Sequence, residues 1–139
     1  MICPRCGSDQ VITTNSRPTQ KMTQTWRRKK CLKCNFIFTT HEKIDLSQIT
    51  VIKKDGRKVK FSRAKLYSGI YQVVAGAKKI DRGKAGVLAE KITQEIEKII
   101  LLRRDEKIES QKIYRIVLEY LKPRYKGHYL RYLAYFGVN

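Results

Sequence analysis

The sequence predicts an α+β protein in two unequal parts: a small β-rich module held by metal over residues 1–45, and a β-hairpin set on a small helical bundle over 46–139. Three observations predict it. All four cysteines fall in two Cys-x-x-Cys knuckles within the first 34 residues, and an Asp55-Gly56 turn signal then separates two β-prone runs. From Ser62 onward, helix caps alternate with apolar stripes of helical period.

The knuckles are Cys3-Pro4-Arg5-Cys6 and Cys31-Leu32-Lys33-Cys34, separated by 24 residues. Each supplies two thiolates from a tight turn, and together Cys3, Cys6, Cys31 and Cys34 make a tetrahedral set for one zinc per chain. Four sulfurs leave the metal no open position, so its role is structural. Disulfides or a redox pair are weaker readings, because no signal peptide precedes Cys3 and the cytoplasm is reducing. Between the knuckles, Val11-Ile12-Thr13-Thr14 and Thr23-Gln24-Thr25-Trp26 are β-prone, with Ser16-Arg17-Pro18-Thr19 expected as the turn. Phe36-Ile37-Phe38-Thr39-Thr40 reads as a third strand. Three short strands on two knuckles make a zinc ribbon, too small to fold without its metal.

The second part opens with Ile49–Lys53 and Arg57–Phe61 as strands around a two-residue Asp55-Gly56 turn. Ser62 is expected to cap a helix over about 63–76, with Leu66, Ile70, Val73 and Val74 on one stripe. Asp81 caps a second over about 82–103, whose stripe is Leu88, Ile92, Ile96, Ile99 and Ile100. Ser110 opens a third over about 110–121, with Ile113, Val117, Leu118 and Leu121 inside and Pro123 as its stop. A last segment over about 126–136 is aromatic: Tyr129, Tyr132, Tyr135 and Phe136. It reads as core or as an interface between subunits rather than a base-stacking platform.

Charge narrows the partners. The formal net charge is +19 and the sequence pI about 10.0, an excess that concentrates polyanions, above all nucleic acid. No apolar run approaches the ~20 residues of a membrane span. A surface-membrane role would want a continuous basic amphipathic helix, and the clearest basic run, Arg27-Arg28-Lys29-Lys30, lies inside the cysteine module beside Trp26. Arg17, Arg27, Arg28 and Lys29 are the candidate nucleic-acid contacts, with Arg17 expected at the ribbon turn. Lys53 and Lys54 beside the hairpin turn, and Lys65 in the next helix, can gather near a helix N-terminus where phosphate is at home. No Walker motif occurs, and lysines around a hairpin alone are as consistent with a solvated surface. Nothing supports an enzyme: His41 and His128 are far apart and neither neighbours a candidate nucleophile.

Taken together the stretches resemble the bacterial NrdR family, zinc-ribbon and ATP-cone repressors of ribonucleotide reductase genes. The resemblance rests on Cys3-Pro4-x-Cys6, Ser16-Arg17, the basic run before Cys31-x-x-Cys34, and Phe38-Thr39-Thr40-His41-Glu42. It continues through Val51-x-Lys53-Lys54-Asp55-Gly56, Phe61, Lys65 and Tyr129-Leu130-Arg131-Tyr132. It implies a cytoplasmic bacterial regulator, nucleoid-associated when bound, with a zinc ribbon over 1–45 on double-stranded operator DNA and an ATP-cone over 46–139 binding ATP or dATP. Nucleotide would then change the state of a homo-oligomer. By the same resemblance Lys53, Lys54 and Lys65 hold phosphates, Val51, Phe61, Ser62 and Leu66 line the base and ribose pocket, and Arg17, Arg27, Arg28 and Lys29 contact DNA. The chain departs from the family pattern at Asn15 and Val59, where acidic residues are usual, and at Ile37, where arginine is. It departs also at His41, where tyrosine is usual, and at Gly127-His128, where small apolar residues are. Two other functions fit the same composition: an accessory ATP-cone protein acting directly on a reductase, and a zinc-ribbon RNA-binding factor.

Overall fold

In the computed structural model, which describes residues 1–19 and 21–137, the chain divides after Asp45 into two units. The first is an antiparallel sheet of β1 (Val11–Thr19), β2 (Gln24–Cys31) and β3 (Ile37–Lys43), in that spatial order. It differs from expectation in one respect. Ser16, Arg17, Pro18 and Thr19 form no turn; they continue β1 and pair with Arg27, Trp26, Thr25 and Gln24. Pro18 is tolerated because β1 is an edge strand, where a missing N–H breaks no second ladder. The reversal comes later, at a tip holding Lys21 and Met22, both in the left-handed region at φ 53° and 73°. A bulge near Thr14 absorbs the extra residue between Thr13 and Asn15.

The second unit begins with a short 3-10 turn, Leu46–Gln48, and a sheet of β4 (Thr50–Ile52) and β5 (Lys58–Lys60). Its helices are α1 (Arg63–Ala75), α2 (Arg82–Leu102), α3 (Ser110–Arg124) and α4 (Lys126–Phe136). The hairpin turn is one residue longer than a two-residue loop. Gly56 N–H bonds the Lys53 carbonyl at 2.9 Å and Lys53 N–H the Arg57 carbonyl at 2.8 Å, with Gly56 left-handed at φ 85°. That is the three-residue hairpin in which glycine takes the bulge position. The Asp55 carboxylate stiffens it, accepting the Arg57 N–H at 3.0 Å and its guanidinium at 2.6 Å.

A third strand, β6 (Lys107–Glu109), was not expected. It lies parallel to β4, pairing Ile108 with Val51, and buries Ile108. Three residues with one apolar side chain carry no periodic signal, so only the tertiary fold reveals them. The caps fall where the sequence puts them: Ser62 accepts the Lys65 N–H at 3.3 Å and Asp81 the Lys84 N–H at 3.2 Å. Pro123 does not stop α3, which runs on to Arg124. Tyr125, at φ −140°, makes the break before α4. The core is aliphatic: Ile70, Val73 and Val74 of α1 meet Ile92, Ile96 and Ile100 of α2 and Val117 and Leu121 of α3, all at most 1% exposed. Thr93 is the buried polar residue there, its hydroxyl donating to the Ala89 carbonyl at 2.7 Å. No described helix is long and apolar enough to cross a membrane.

Candidate metal centre, basic face and hairpin pocket

The knuckles are two copies of one backbone shape. The first cysteine of each donates its N–H five residues on, Cys3 to Ser8 at 2.8 Å and Cys31 to Phe36 at 2.9 Å. Its carbonyl accepts from four residues on, Gly7 and Asn35, both at 2.9 Å and both left-handed. Glycine and asparagine tolerate that conformation best. The turns bring Cys3 Sγ to 3.7 Å from Cys34 Sγ and Cys6 Sγ to 3.6 Å from Cys31 Sγ, with all four sulfurs within 4.8 Å of one another. A disulfide needs about 2.05 Å. A regular tetrahedron with zinc–sulfur bonds of about 2.3 Å has edges of about 3.8 Å. The spacing fits zinc and excludes a bridge. The acidities are split: the Cys34 amide foremost holds the Cys31 thiol down at about 7. At Cys34 the Phe36 amide favours the thiolate, but burial and the neighbouring sulfurs outweigh it and push the thiol up to about 11. A divalent cation at the centre is what lets all four ionise together.

The basic run divides between two faces, because successive residues of a strand point to opposite sides. Arg27 and Lys29 share one. There Arg27 donates to Glu42 Oε2 at 3.1 and 3.3 Å and to Ser16 Oγ at 3.0 Å, and Lys29 donates to Thr13 Oγ1 at 2.8 Å. Trp26, Arg28 and Lys30 share the other, joined by Arg17, whose guanidinium lies over the Trp26 ring at 4.8 Å. Arg28 is exposed and has no side-chain partner among the described residues. Its cross-strand neighbours, Asn15 and Thr39, are uncharged. Arg17 is therefore a strand residue stacked on Trp26, correcting its expected place at a turn.

In the second unit, Val51, Lys53, Lys54, Phe61, Ser62, Lys65 and Leu66 all line one cavity of about 330 Å³. Phe61, just after β5, and the α1 N-terminus supply one wall, and α3 and α4 supply the other. Lys54 and Lys65 are exposed and Lys53 half-buried, and none of the three has a side-chain partner among the described residues. The Asp55 carboxylate is taken up by Arg57. What the sequence reading missed is the far wall: Tyr114, Tyr132 and Phe136, with Ser110 and Gln111 as polar groups. Tyr132 stacks on Tyr114 at 5.5 Å between ring centres and tilts against Phe136 at 4.8 Å. Burial raises the hydroxyl pKa of both tyrosines, so they stay neutral donors. The aromatic run in α4 is the available signal; that it walls a cavity depends on how α4 packs against α1 and α3. A second cavity of about 410 Å³ adjoins, sharing Lys53, Lys54, Ser110 and Gln111 and including Glu109.

Residues 1–42 match the family described as "Transcriptional repressor NrdR-like, N-terminal domain", and residues 49–136 match "ATP cone domain". A protein from Microcystis aeruginosa (strain NIES-843 / IAM M-2473) named "Transcriptional repressor NrdR" is 34% identical over 140 residues, covering 99% of this chain and 77% of that one. The chain belongs to the NrdR family. NrdR proteins of Caldicellulosiruptor bescii and Afipia carboxidovorans are 37% and 34% identical over 134 residues, 96% of this chain and 84% and 82% of theirs. These relatives are named as repressors, which are regulators and not enzymes. As an NrdR, the chain has its four cysteines arranged for zinc in a zinc ribbon. Asn15, Ile37 and His41 lie opposite Arg28, Lys30 and Trp26, on one face of the ribbon, and Val59 lines the hairpin cavity.

Proposed function

We propose that this chain is a cytoplasmic repressor of ribonucleotide reductase genes that senses ATP or dATP in its hairpin cavity and binds double-stranded operator DNA through its zinc ribbon. The convergence of seven expected residues on one cavity of about 330 Å³ carries the reading. Its volume lies in the range of small-molecule sites. Three ammonium groups, none in a hydrogen bond or ion pair among the described residues, mark its phosphate end, and Val51, Phe61, Leu66 and the rings of Tyr132 and Phe136 suit a flat base. The adjoining cavity around Lys53 and Lys54 gives a polyphosphate room to extend. With Val59 in place of a carboxylate, the groups left to read the base are Ser62, Ser110 and Gln111. Nucleotide binding then shifts the equilibrium of a homo-oligomer by favouring one state over another.

The nucleotide half is tested by Lys65→Ala. Losing one charge-assisted hydrogen bond costs about 1.5–3 kcal/mol, roughly ten- to a hundredfold in affinity. Calorimetry should show ATP and dATP weakened alike, since a phosphate contact does not sense the 2′-hydroxyl. Unchanged dATP affinity would remove the reading of this site.

On the ribbon, Arg17 and Arg28 are assigned to DNA on the Trp26 face, while Arg27 and Lys29, held by Glu42 and Thr13, brace the sheet. The exposed Arg28, flanked by the uncharged Asn15 and Thr39, and the Arg17 guanidinium beside it support this. Arg28→Ala should weaken operator binding and lower the salt slope by about one. Arg27→Ala should leave the slope nearly unchanged and lower ribbon stability instead. The opposite pattern would exchange the two faces.

A further inference from the structure

The greater part of the charge lies outside the ribbon. Residues 1–45 hold nine Lys and Arg against three Asp and Glu, a net of +6, whereas residues 46–139 hold 22 against nine, a net of +13. One cluster outside the ribbon is the connection between α1 and α2, where Lys78, Lys79, Arg82 and Lys84 fall within seven residues and all are exposed. None makes an ion pair or a side-chain hydrogen bond among the described residues. The one carboxylate in the stretch, Asp81, is occupied in capping α2 through the Lys84 N–H. Arg131 of α4, which also meets His128 Nδ1 at 3.1 Å, adds a fifth cation, its Cδ lying 3.8 Å from where a Cβ on Gly76 would stand.

Folding accounts for only part of this cluster. Lys78 and Lys79 follow the C-terminus of α1, where a cation is favoured by the helix dipole. Arg82 and Lys84 occupy the first turn of α2, a helix of 21 residues with no acidic residue in that turn, where their charge opposes the dipole. Two unpaired cations at the positive end of a long helix are a cost to the fold, and a polyanion outside the molecule removes it. A membrane surface is the poorer match. Val87, 74% exposed, is the exposed aliphatic nearby, and Ile80 is turned into the core, so there is no apolar face to insert.

We propose that the α1–α2 connection is a second, sequence-independent contact for the phosphate backbone of duplex DNA, separate from the ribbon. It rests on the reading above that the partner is duplex DNA, and it places part of the affinity in the nucleotide-binding unit. The test uses the full-length, zinc-loaded chain on a fluorescent random-sequence duplex across a salt series. Arg82→Gln with Lys84→Gln should lower the slope of log affinity against log salt by about two, and adding Lys78→Gln and Lys79→Gln should lower it by about two more. The folding midpoint of the double variant should equal or exceed the parent's, because the opposed charges are gone. An unchanged slope in the fourfold variant overturns the proposal, as does loss of binding accompanied by a lowered midpoint. Lost binding to phosphatidylserine vesicles with duplex binding intact overturns it in favour of a membrane. Arg28→Ala run in parallel separates the two surfaces. If it leaves the slope unchanged while the loop variant lowers it, the ribbon reading fails and this one stands; a parent that binds no duplex removes both.

Discussion

Tyr114 carries a buried hydroxyl with no hydrogen-bond partner, alone in this among the described side chains. Its ring stacks on Tyr132 in the cavity wall, so the aromatic body is well placed while the oxygen pays a desolvation penalty. Tyr114→Phe keeps the ring and removes that penalty. It should leave stability unchanged or raise it by about 1 kcal/mol, read as a midpoint shift in thermal denaturation, where most core tyrosine truncations destabilise. Individual residues were legible where their chemistry is local. Cys3, Cys6, Cys31 and Cys34 converge as their spacing requires, and Lys53, Lys54 and Lys65 line one cavity with Phe61. Arg17 was misplaced because Ser16-Arg17-Pro18-Thr19 has turn composition, and pairing with β2 overrode it.

At the scale of elements, α1 and α2 declared themselves through caps and stripes, since both signals lie within the segment. Asp81 has the cleaner role: its side chain accepts the Lys84 N–H and lies outside the cavity. Asp81→Ala should therefore cost about 1 kcal/mol of stability by chemical denaturation, with nucleotide affinity retained. Elements that depend on distant partners behaved differently. β6 exists because β4 offers it a parallel edge, pairing Thr50, Val51 and Ile52 with Lys107, Ile108 and Glu109. The single residue by which α3 runs past Pro123 likewise reflects its surroundings, with Arg124 donating to the Tyr120 carbonyl at 3.1 Å and lying over the Tyr120 ring.

For the molecule as a whole, the two units depend on different forces, and metal removal should separate them. Among its described residues the ribbon has no aliphatic core beyond its knuckles; Cys3 and Cys31 are the buried ones. Chelation under reducing conditions should unfold it, changing the emission of Trp26, the single tryptophan. All four α-helices among the described residues lie in the second unit, so ellipticity at 222 nm should fall only slightly. A large helical loss on chelation would mean that the metal also holds the second unit. By itself the sequence determined the four cysteines of the metal centre, the two helix caps and the apolar stripes, because each is written as a local pattern of residue type and spacing. Only the tertiary structure decided which ribbon cations are free and which are braced, where β6 pairs, and that Tyr114, Tyr132 and Phe136 wall the cavity. Those depend on register and on the packing of α4 against α1 and α3, contacts between residues far apart in the chain that no local pattern encodes.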